Sequence, residues 1–364
     1  MFYVQEADGM TEKKKTLEVK NLKKHFPIRN GKVVRAVDGV DLEIYEGETL
    51  GLVGESGSGK STIAYMIVGM YKASDGSIIY NGEDLTKRGI KRTKEQKGNI
   101  QIVFQDPSSA LNPRRKIRRS LEFTLKLHGE VDKGNLGEKA EDLLEMVGLP
   151  REFGENYPRS IGGGERQLAS VARAMAANPS LLILDEPTSA LDVSVQAKVI
   201  RKLTELQKER NLSYLFITHD LSLMRNIATR VAILYLGKVC ELAPAEDFFE
   251  KPLHPYTQML LSSIPVATDE EELLRPEKVV STGEIPSPVD IPPGCAFHMR
   301  CPERMDICSK ELPQMTEVKK GHSVCCHKYC VQKTAAETRE EEKEVSSDEK
   351  GIGTDCTEAV ERSI

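Results

Sequence analysis

Residues 49–62 read TLGLVGESGSGKST, an apolar run that breaks into a glycine-rich turn and closes on Lys60, Ser61 and Thr62. The spacing fits G-x-x-x-x-G-K-[ST], with Gly54, Gly59, Lys60 and Ser61 at the fixed positions. Side-chain-free positions at Gly54, Gly57 and Gly59, with Ser56 between them, let the backbone curl so that successive N–H groups converge. The following helix aims its positive end at the same point. A polyphosphate fits such a nest: Lys60 reaches its β- and γ-phosphates, and the Ser61 hydroxyl, with Thr62 beside it, is placed to ligand a bridging Mg²⁺. The strand before it and the amphipathic stretch Ile63 to Met70 stand where the motif requires them, so this stretch predicts a nucleoside triphosphate site.

Upstream, Leu17 to Ile44 is strand-like, with a turn at Arg29-Asn30-Gly31, which predicts an antiparallel layer beside the phosphate loop. Phe26, at a strand end in that layer, is a candidate to stack on a purine; an ordinary half-buried aromatic fits it equally. IQIVFQDP (100–107) predicts a buried strand ending at Gln105 and Asp106. Residues 112–158 change to long helical periodicity, a helical insert. It runs into YPRSIGGGERQLASVARAMAANP (157–179), where Gly162, Gly163 and Gly164 open an amphipathic helix and imply a second anion nest. SLLILDEPTSALD (180–192) describes a central parallel strand that delivers Asp185 and Glu186 at its carboxyl end. Asp185 suits Mg²⁺ and Glu186 the polarisation of an attacking water. SYLFIT (213–218) stops at His219, which can donate to the γ-phosphate as its bond breaks.

The composition bounds the rest. At 364 residues the chain suits one large core domain and an appendage. Its net charge of −5 equals that of residues 331–364, which hold five basic and ten acidic groups, so the remainder is near neutral and a nucleic-acid partner is disfavoured. No window approaches the ~20 apolar residues of a membrane span. Eight cysteines, five of them packed between Cys295 and Cys326, read as a local metal or cluster site in a reducing compartment and not as a disulfide framework.

Together GESGSGKS (54–61), Gln105, the glycine signature (161–165), LLILDEP (181–187), SALD (189–192) and His219 resemble the ATP-binding subunits of ABC transporters. The resemblance implies a P-loop ATPase of the α/β class: a mostly parallel sheet, an antiparallel β subdomain, a helical subdomain near 112–165 and a small Cys-rich C-terminal extension. Its expected units are a flexible N-terminus (1–16), the nucleotide-binding domain (17–265), the extension (266–330) and an acidic disordered tail (331–364). It adds Gln105 to the Mg²⁺ ligands Ser61 and Asp185, and makes Lys60, Gln105, Glu186 and His219 the catalytic group. Asp192 and the signature residues Gly162, Gly163, Gly164 and Glu165 join Phe26 and the phosphate loop as ATP contacts.

Within that family the chain is similar to the oligopeptide/dipeptide import ATPases, through residues 31–62, 104–114, 253–265, GCAFHMRCPERMDIC (294–308) and GHSVCCH (321–327). That resemblance implies a second ATPase subunit clamped head to tail, two membrane-spanning permeases, an extracytoplasmic peptide-binding protein, and a peripheral place on the cytoplasmic face of the membrane. ATP would be trapped between one subunit's Lys60 loop and the other's signature, with Gln105 and the helical insert transmitting the motion. A nickel or other small-solute importer would share every motif, and a soluble ABC ATPase acting on nucleic acid or ribosomes is a further alternative. One departure stands out. The usual signature is Leu-Ser-Gly-Gly-Gln, whereas residues 161–165 are Ile-Gly-Gly-Gly-Glu, so the serine hydroxyl that contacts the γ-phosphate across the dimer is missing at Gly162. This predicts a competent Lys60/Glu186 site and a weakened signature lent to the partner.

After the Pro-rich connector 285–295, Cys295, Cys301, Cys308 and Cys326 are separated by five, six and seventeen residues. Four thiolates hold either a tetrahedral Zn²⁺ or an iron–sulfur cluster, and metal-free thiols remain open. The spacing does not favour zinc, and the resemblance tilts the set toward a [4Fe–4S] cluster acting as a stabilising cross-link.

Overall fold

The computed structural model describes residues 14–87, 91–128, 133–264 and 283–330. The expected acidic tail, most of the expected flexible N-terminus and the stretch 265–282 lie outside the described residues. β1 begins at Lys15, inside the segment expected to be loose, because Leu17 and Val19 are buried against the core.

Two sheets form the body. Strands β1 (Lys15–Pro27), β2 (Val33–Tyr45), β4 (Asp75–Tyr80) and β5 (Glu83–Asp84) make the antiparallel layer in the order β2-β1-β4-β5. The predicted turn holds Asn30 at φ 64°, and β1 pairs β2 from Lys15 opposite Tyr45 to Pro27 opposite Val33. Among the described residues the second sheet has eight strands. Its parallel part runs β9 (Arg230–Tyr235), β3 (Thr49–Val53), β8 (Ser213–Thr218), β7 (Leu181–Asp185) and β6 (Ile100–Val103). β3, β7 and β8 are buried throughout, as expected of parallel strands covered on both faces.

The period-two alternation of these strands divides the core. Leu50, Leu52, Leu181, Ile183, Leu215 and Ile217 face α1 (Lys60–Ile67) and the antiparallel layer. Leu182, Leu184, Tyr214, Phe216, Val231 and Ile233 face the opposite side. There the helical insert packs as α3 (Ile117–His128) and α4 (Leu136–Met146), leading to α5 (Gly163–Met175) and, beyond β7, α6 (Val193–Arg210). The shorter α2 (Lys94–Asn99) precedes β6, α7 (Leu221–Ile227) follows β8 and α8 (Ala245–Glu250) comes before α9 (Pro255–Ser262).

The C-terminal extension is not a separate lobe. After β10 (Lys238–Pro244) and α9 (Pro255–Ser262), the chain returns as β11 (Met315–Lys319) and β12 (His322–Cys325), which continue the main sheet in the order β11-β12-β10-β9. Glu241 and His322, both almost fully buried, join across the β10/β12 pair at 2.7 Å. Phe297, 1% exposed, belongs to the same core as the helical insert.

Candidate functional site

Parallel pairing is what assembles the site. β3, β8, β7 and β6 lie side by side with their carboxyl ends together, so the segments leaving those ends meet at one edge: the phosphate loop, His219, Asp185-Glu186 and Gln105. Two of the loop's glycines are sterically required. A Cβ on Gly54 would lie 2.2 Å from the Leu234 carbonyl oxygen, and one on Gly59, at φ 109°, would lie 2.2 Å from that of Ala36. The loop is thus pressed against two neighbouring backbones, and Gly237 N–H donates to the Ser58 carbonyl at 2.8 Å. Ser56 and Gly57 face solvent at the tip.

Lys60 opens α1 and is 6% exposed, its amine donating to the carbonyls of Gly54 (2.7 Å) and Glu55 (3.0 Å). Burial lowers its pKa, while Glu186, Asp185 and Glu55 pull the other way. Next to it, Ser61 donates to Asp185 Oδ1 at 3.0 Å. Asp185 is 3% exposed; burial raises its pKa, against the hydrogen bonds from Ser61 and Tyr65. A hydroxyl and a buried carboxylate in contact are hard oxygen donors, the kind Mg²⁺ takes. Tyr65 went unread in the sequence, although it stands one helical turn after Ser61.

A second group lies alongside. Glu186, at φ 46°, is held by its own N–H to the Ile217 carbonyl (2.9 Å), and its Oε2 meets Gln105 Nε2 at 3.1 Å and His219 Nδ1 at 3.3 Å. A non-glycine residue at positive φ carries local strain, which turns this carboxylate out of the strand's line. Gln105 also donates to Ser189 Oγ at 3.3 Å. Of the three expected Mg²⁺ ligands, Ser61 and Asp185 are therefore in contact, whereas Gln105 stands with Glu186. Thr62 follows in α1, half-buried.

The signature residues are packed elsewhere. Gly162 caps α5 with no side-chain hydrogen bond, Gly162 and Gly163 are exposed, and Gly164 is so close to α6 that a Cβ would meet Val195 Cγ1 at 2.2 Å. Glu165 folds back over Gly162. Asp192 caps α6, accepting from Val195 N at 3.0 Å and from the Ser194 hydroxyl at 2.7 Å, contacts that lower its pKa. Among the described residues no hydrogen bond ties Gly162–Glu165 or Asp192 to the phosphate loop. Phe26 is half-buried, edge-on to Tyr71 at 5.6 Å, with Lys24 Nζ 4.8 Å from its ring centre.

Cys295, Cys301, Cys308 and Cys326 line one cavity, walled also by Phe297 and Met305, and all four are free thiols. Burial pushes Cys295, Cys301 and Cys326 up to about 11. Among the described residues no group of three or more His, Cys, Asp or Glu side chains is arranged to hold a metal ion. Nor is any described helix long and apolar enough to cross a membrane.

The family model described as ABC transporter matches residues 37–189, and that of the oligopeptide/dipeptide transporter C-terminal region matches 240–308. The oligopeptide transport ATP-binding protein AppF of Bacillus subtilis is 46% identical over 86% of this chain and 97% of its own length. The dipeptide transport ATP-binding protein DppF of Escherichia coli is 41% identical over 85% and 93%. Among solved structures, the ATP-binding cassette MJ0796, a dimer bound to ADP and Pi, superposes with a TM-score of 0.57 at 27% identity, covering 63% of this chain and 98% of that one. With its phosphate loop, strand-end carboxylates and C-terminal region all matched, the chain belongs to the ABC-type ATPases, in the oligopeptide/dipeptide family of transporter ATP-binding proteins.

Proposed function

We propose that this protein is the ATP-hydrolysing motor of an importer for di- or oligopeptides, working with a second ATPase subunit, two permeases and an extracytoplasmic peptide-binding protein at the cytoplasmic face of the membrane. The observation that carries the reading is the pair of linked groups at one sheet edge, Lys60–Ser61–Asp185 and Gln105–Glu186–His219. In this reading the loop amides and Lys60 bind the β- and γ-phosphates of ATP. Ser61 and Asp185 would hold Mg²⁺, which supplies charge neutralisation between the phosphates. Glu186 orients and polarises the attacking water, Gln105 and His219 hold that carboxylate in place, and His219 donates to the γ-phosphate. Gly162, Gly163 and Asp192, which are exposed, contact the ATP of the partner subunit together with half-buried Glu165, Gly164 being packed against α6 behind them, and Phe26 packs on the adenine.

Coupling to a permease, in this reading, would use one surface groove. A groove of about 460 Å³ between the helical insert and the main sheet is lined by Phe104, Asn112, Arg115, Phe123 and Leu127, with Phe123 58% exposed. Phe104 adjoins Gln105 in sequence, and we assign the groove to a cytoplasmic segment of a permease, whose docking would bear on Gln105 through Phe104. A [4Fe–4S] cluster on the four cysteines, which the resemblance implies, rests on four thiols around one cavity that His254, His298, Glu303 and His327 also line, whereas no such group among the described residues is arranged to hold a metal ion. Iron and sulfide analysis with visible absorption of anaerobically purified protein tests this; protein lacking both rejects it.

The motor reading is tested in vesicles holding the complete transporter. Peptide-loaded binding protein should stimulate ATP hydrolysis, and Glu186→Gln should reduce it ~100-fold or more while ATP still binds. Hydrolysis unaffected by that substitution would overturn the assignment, and stimulation by a metal-ion- or other small-solute-binding protein instead of peptide would overturn the cargo.

A further inference from the structure

The phosphate loop is gripped by a residue 245 positions away in sequence. Arg300, beside Cys301, presents its guanidinium squarely to Glu55: Nη1 to Oε2 at 2.9 Å and Nη2 to Oε1 at 3.1 Å. The pair is largely shielded, with side chains 10% and 22% exposed. The guanidinium lies 6.0 Å from the Tyr235 ring centre and 5.7 Å from that of Phe297, and those two rings pack edge to face at 5.4 Å. Its backbone is placed by a short loop in which Arg300 N bonds to Phe297 O, His298 N to Cys295 O and Cys295 N to Cys308 O. The arginine that reaches the loop is thus mounted on the segment that carries the cysteine cavity.

Glu55 is a junction. Its N–H donates to the Tyr256 hydroxyl at 3.1 Å, its carbonyl accepts from the Lys60 amine at 3.0 Å, and its carboxylate takes both arms of Arg300. The peptide that holds the phosphate-binding lysine is therefore tied on two sides to elements of the C-terminal region. A bidentate arginine fixes direction as well as distance, so this contact limits how far residues 54–57 can rearrange.

We propose that Arg300 is a positioning residue for the phosphate loop, and that the cysteine-bearing extension acts as a brace holding the loop's amides and Lys60 aimed at the triphosphate. The proposal deepens the ATPase reading and rests on it. Without the brace the loop must be ordered at the moment of binding, and the cost falls on nucleotide affinity. Once nucleotide is bound, Glu186, Gln105 and His219 are untouched, so the chemical step is spared.

The test measures MgATP affinity of the full chain and the KM-against-kcat split of the assembled transporter. Arg300→Ala should weaken MgATP binding ~10-fold, the scale of one lost charge-assisted hydrogen bond, with KM rising alike and kcat within about twofold. Glu55→Gln leaves the extension's sequence intact and keeps both backbone contacts; it should weaken binding by a smaller factor. Arg300→Lys, which cannot make the fork, should fall between Arg300→Ala and the parent. Adding Glu55→Gln to Arg300→Ala should cost nothing further. If Glu55→Gln and Arg300→Lys lower the melting temperature yet bind MgATP like the parent, the pair only stabilises the fold and the proposal is overturned. A parent chain with no affinity for MgATP would instead overturn the ATPase reading beneath it.

Discussion

Replacing Gly162 with serine and Glu165 with glutamine restores the usual signature at all positions but Ile161, and the structure sets the size of what should change. A Cβ at Gly162 would sit 2.3 Å from Glu165 Oε2 and 3.3 Å from its Cδ, so Glu165 occupies the room a serine needs. That obstacle is the tip of a flexible, half-exposed side chain, and it can swing away. The cost to the fold is small: Gly162 caps α5 without a side-chain bond, and serine exceeds glycine as a cap by only a few tenths of a kcal/mol. The catalytic effect is of another order. A hydrogen bond to a charged group contributes ~1.5–3 kcal/mol, which is ~10- to 150-fold if made in the transition state. Glutamine at 165 also removes a negative charge from a helix N-terminus proposed to face a triphosphate. ATPase turnover of the reconstituted transporter should therefore rise about tenfold or more, while the melting temperature moves by no more than a few degrees. Glu165→Gln alone separates the charge from the hydroxyl. A folded double variant with unaltered turnover and KM would refute the view that this chain lends its partner a weakened signature.

Other outcomes concern how the extension is held. Glu241, fully buried, accepts from Leu253 N (2.8 Å), His254 N (2.9 Å) and His322 Nε2 (2.7 Å); Glu241→Ala strands all three and should cost about 3–5 kcal/mol in urea denaturation, with a loss under ~1 kcal/mol counting against the role of this pair. His254 caps α9 by accepting from Tyr256 N at 3.0 Å, and burial holds its imidazole down to about 4, against an attraction from Glu241. The unfolded chain takes up this proton first, so stability should fall as pH drops from about 6.5 to about 4, by up to ~3 kcal/mol. His254→Asn keeps an acceptor but does not titrate, and its stability should vary less with pH in that window; parallel profiles would reject the assignment.

The local signals were strong wherever one short segment carries its own physics. TLGLVGESGSGKST specifies strand, turn and helix start by apolar run and glycine spacing, and Asp185-Glu186 follows an unbroken apolar strand whose burial on both faces is legible from composition alone. The two halves of the antiparallel layer were legible in the same way, from alternation and an Asn-Gly turn. Side-chain placement within the site was not. That Gln105 stands with Glu186 and not with Ser61 and Asp185 depends on the register of β6 against β7, a relation between strands roughly eighty residues apart.

The C-terminal region marks the boundary between the two kinds of information. Its cysteines and prolines announced a compact segment near residues 285–330, and their spacing placed four thiols together. Nothing in that spacing told that β12 would pair with β10 and extend the main sheet, or that Arg300 would close on Glu55. Motif spacing is a short-range property of one backbone, so the phosphate nest, the strand-end carboxylates and the family were legible from residues 49–62 and 180–192 and the motifs around them. Contacts between distant segments depend on how whole layers pack, so the seating of β12 on β10 and the closing of Arg300 on Glu55 came from the fold alone.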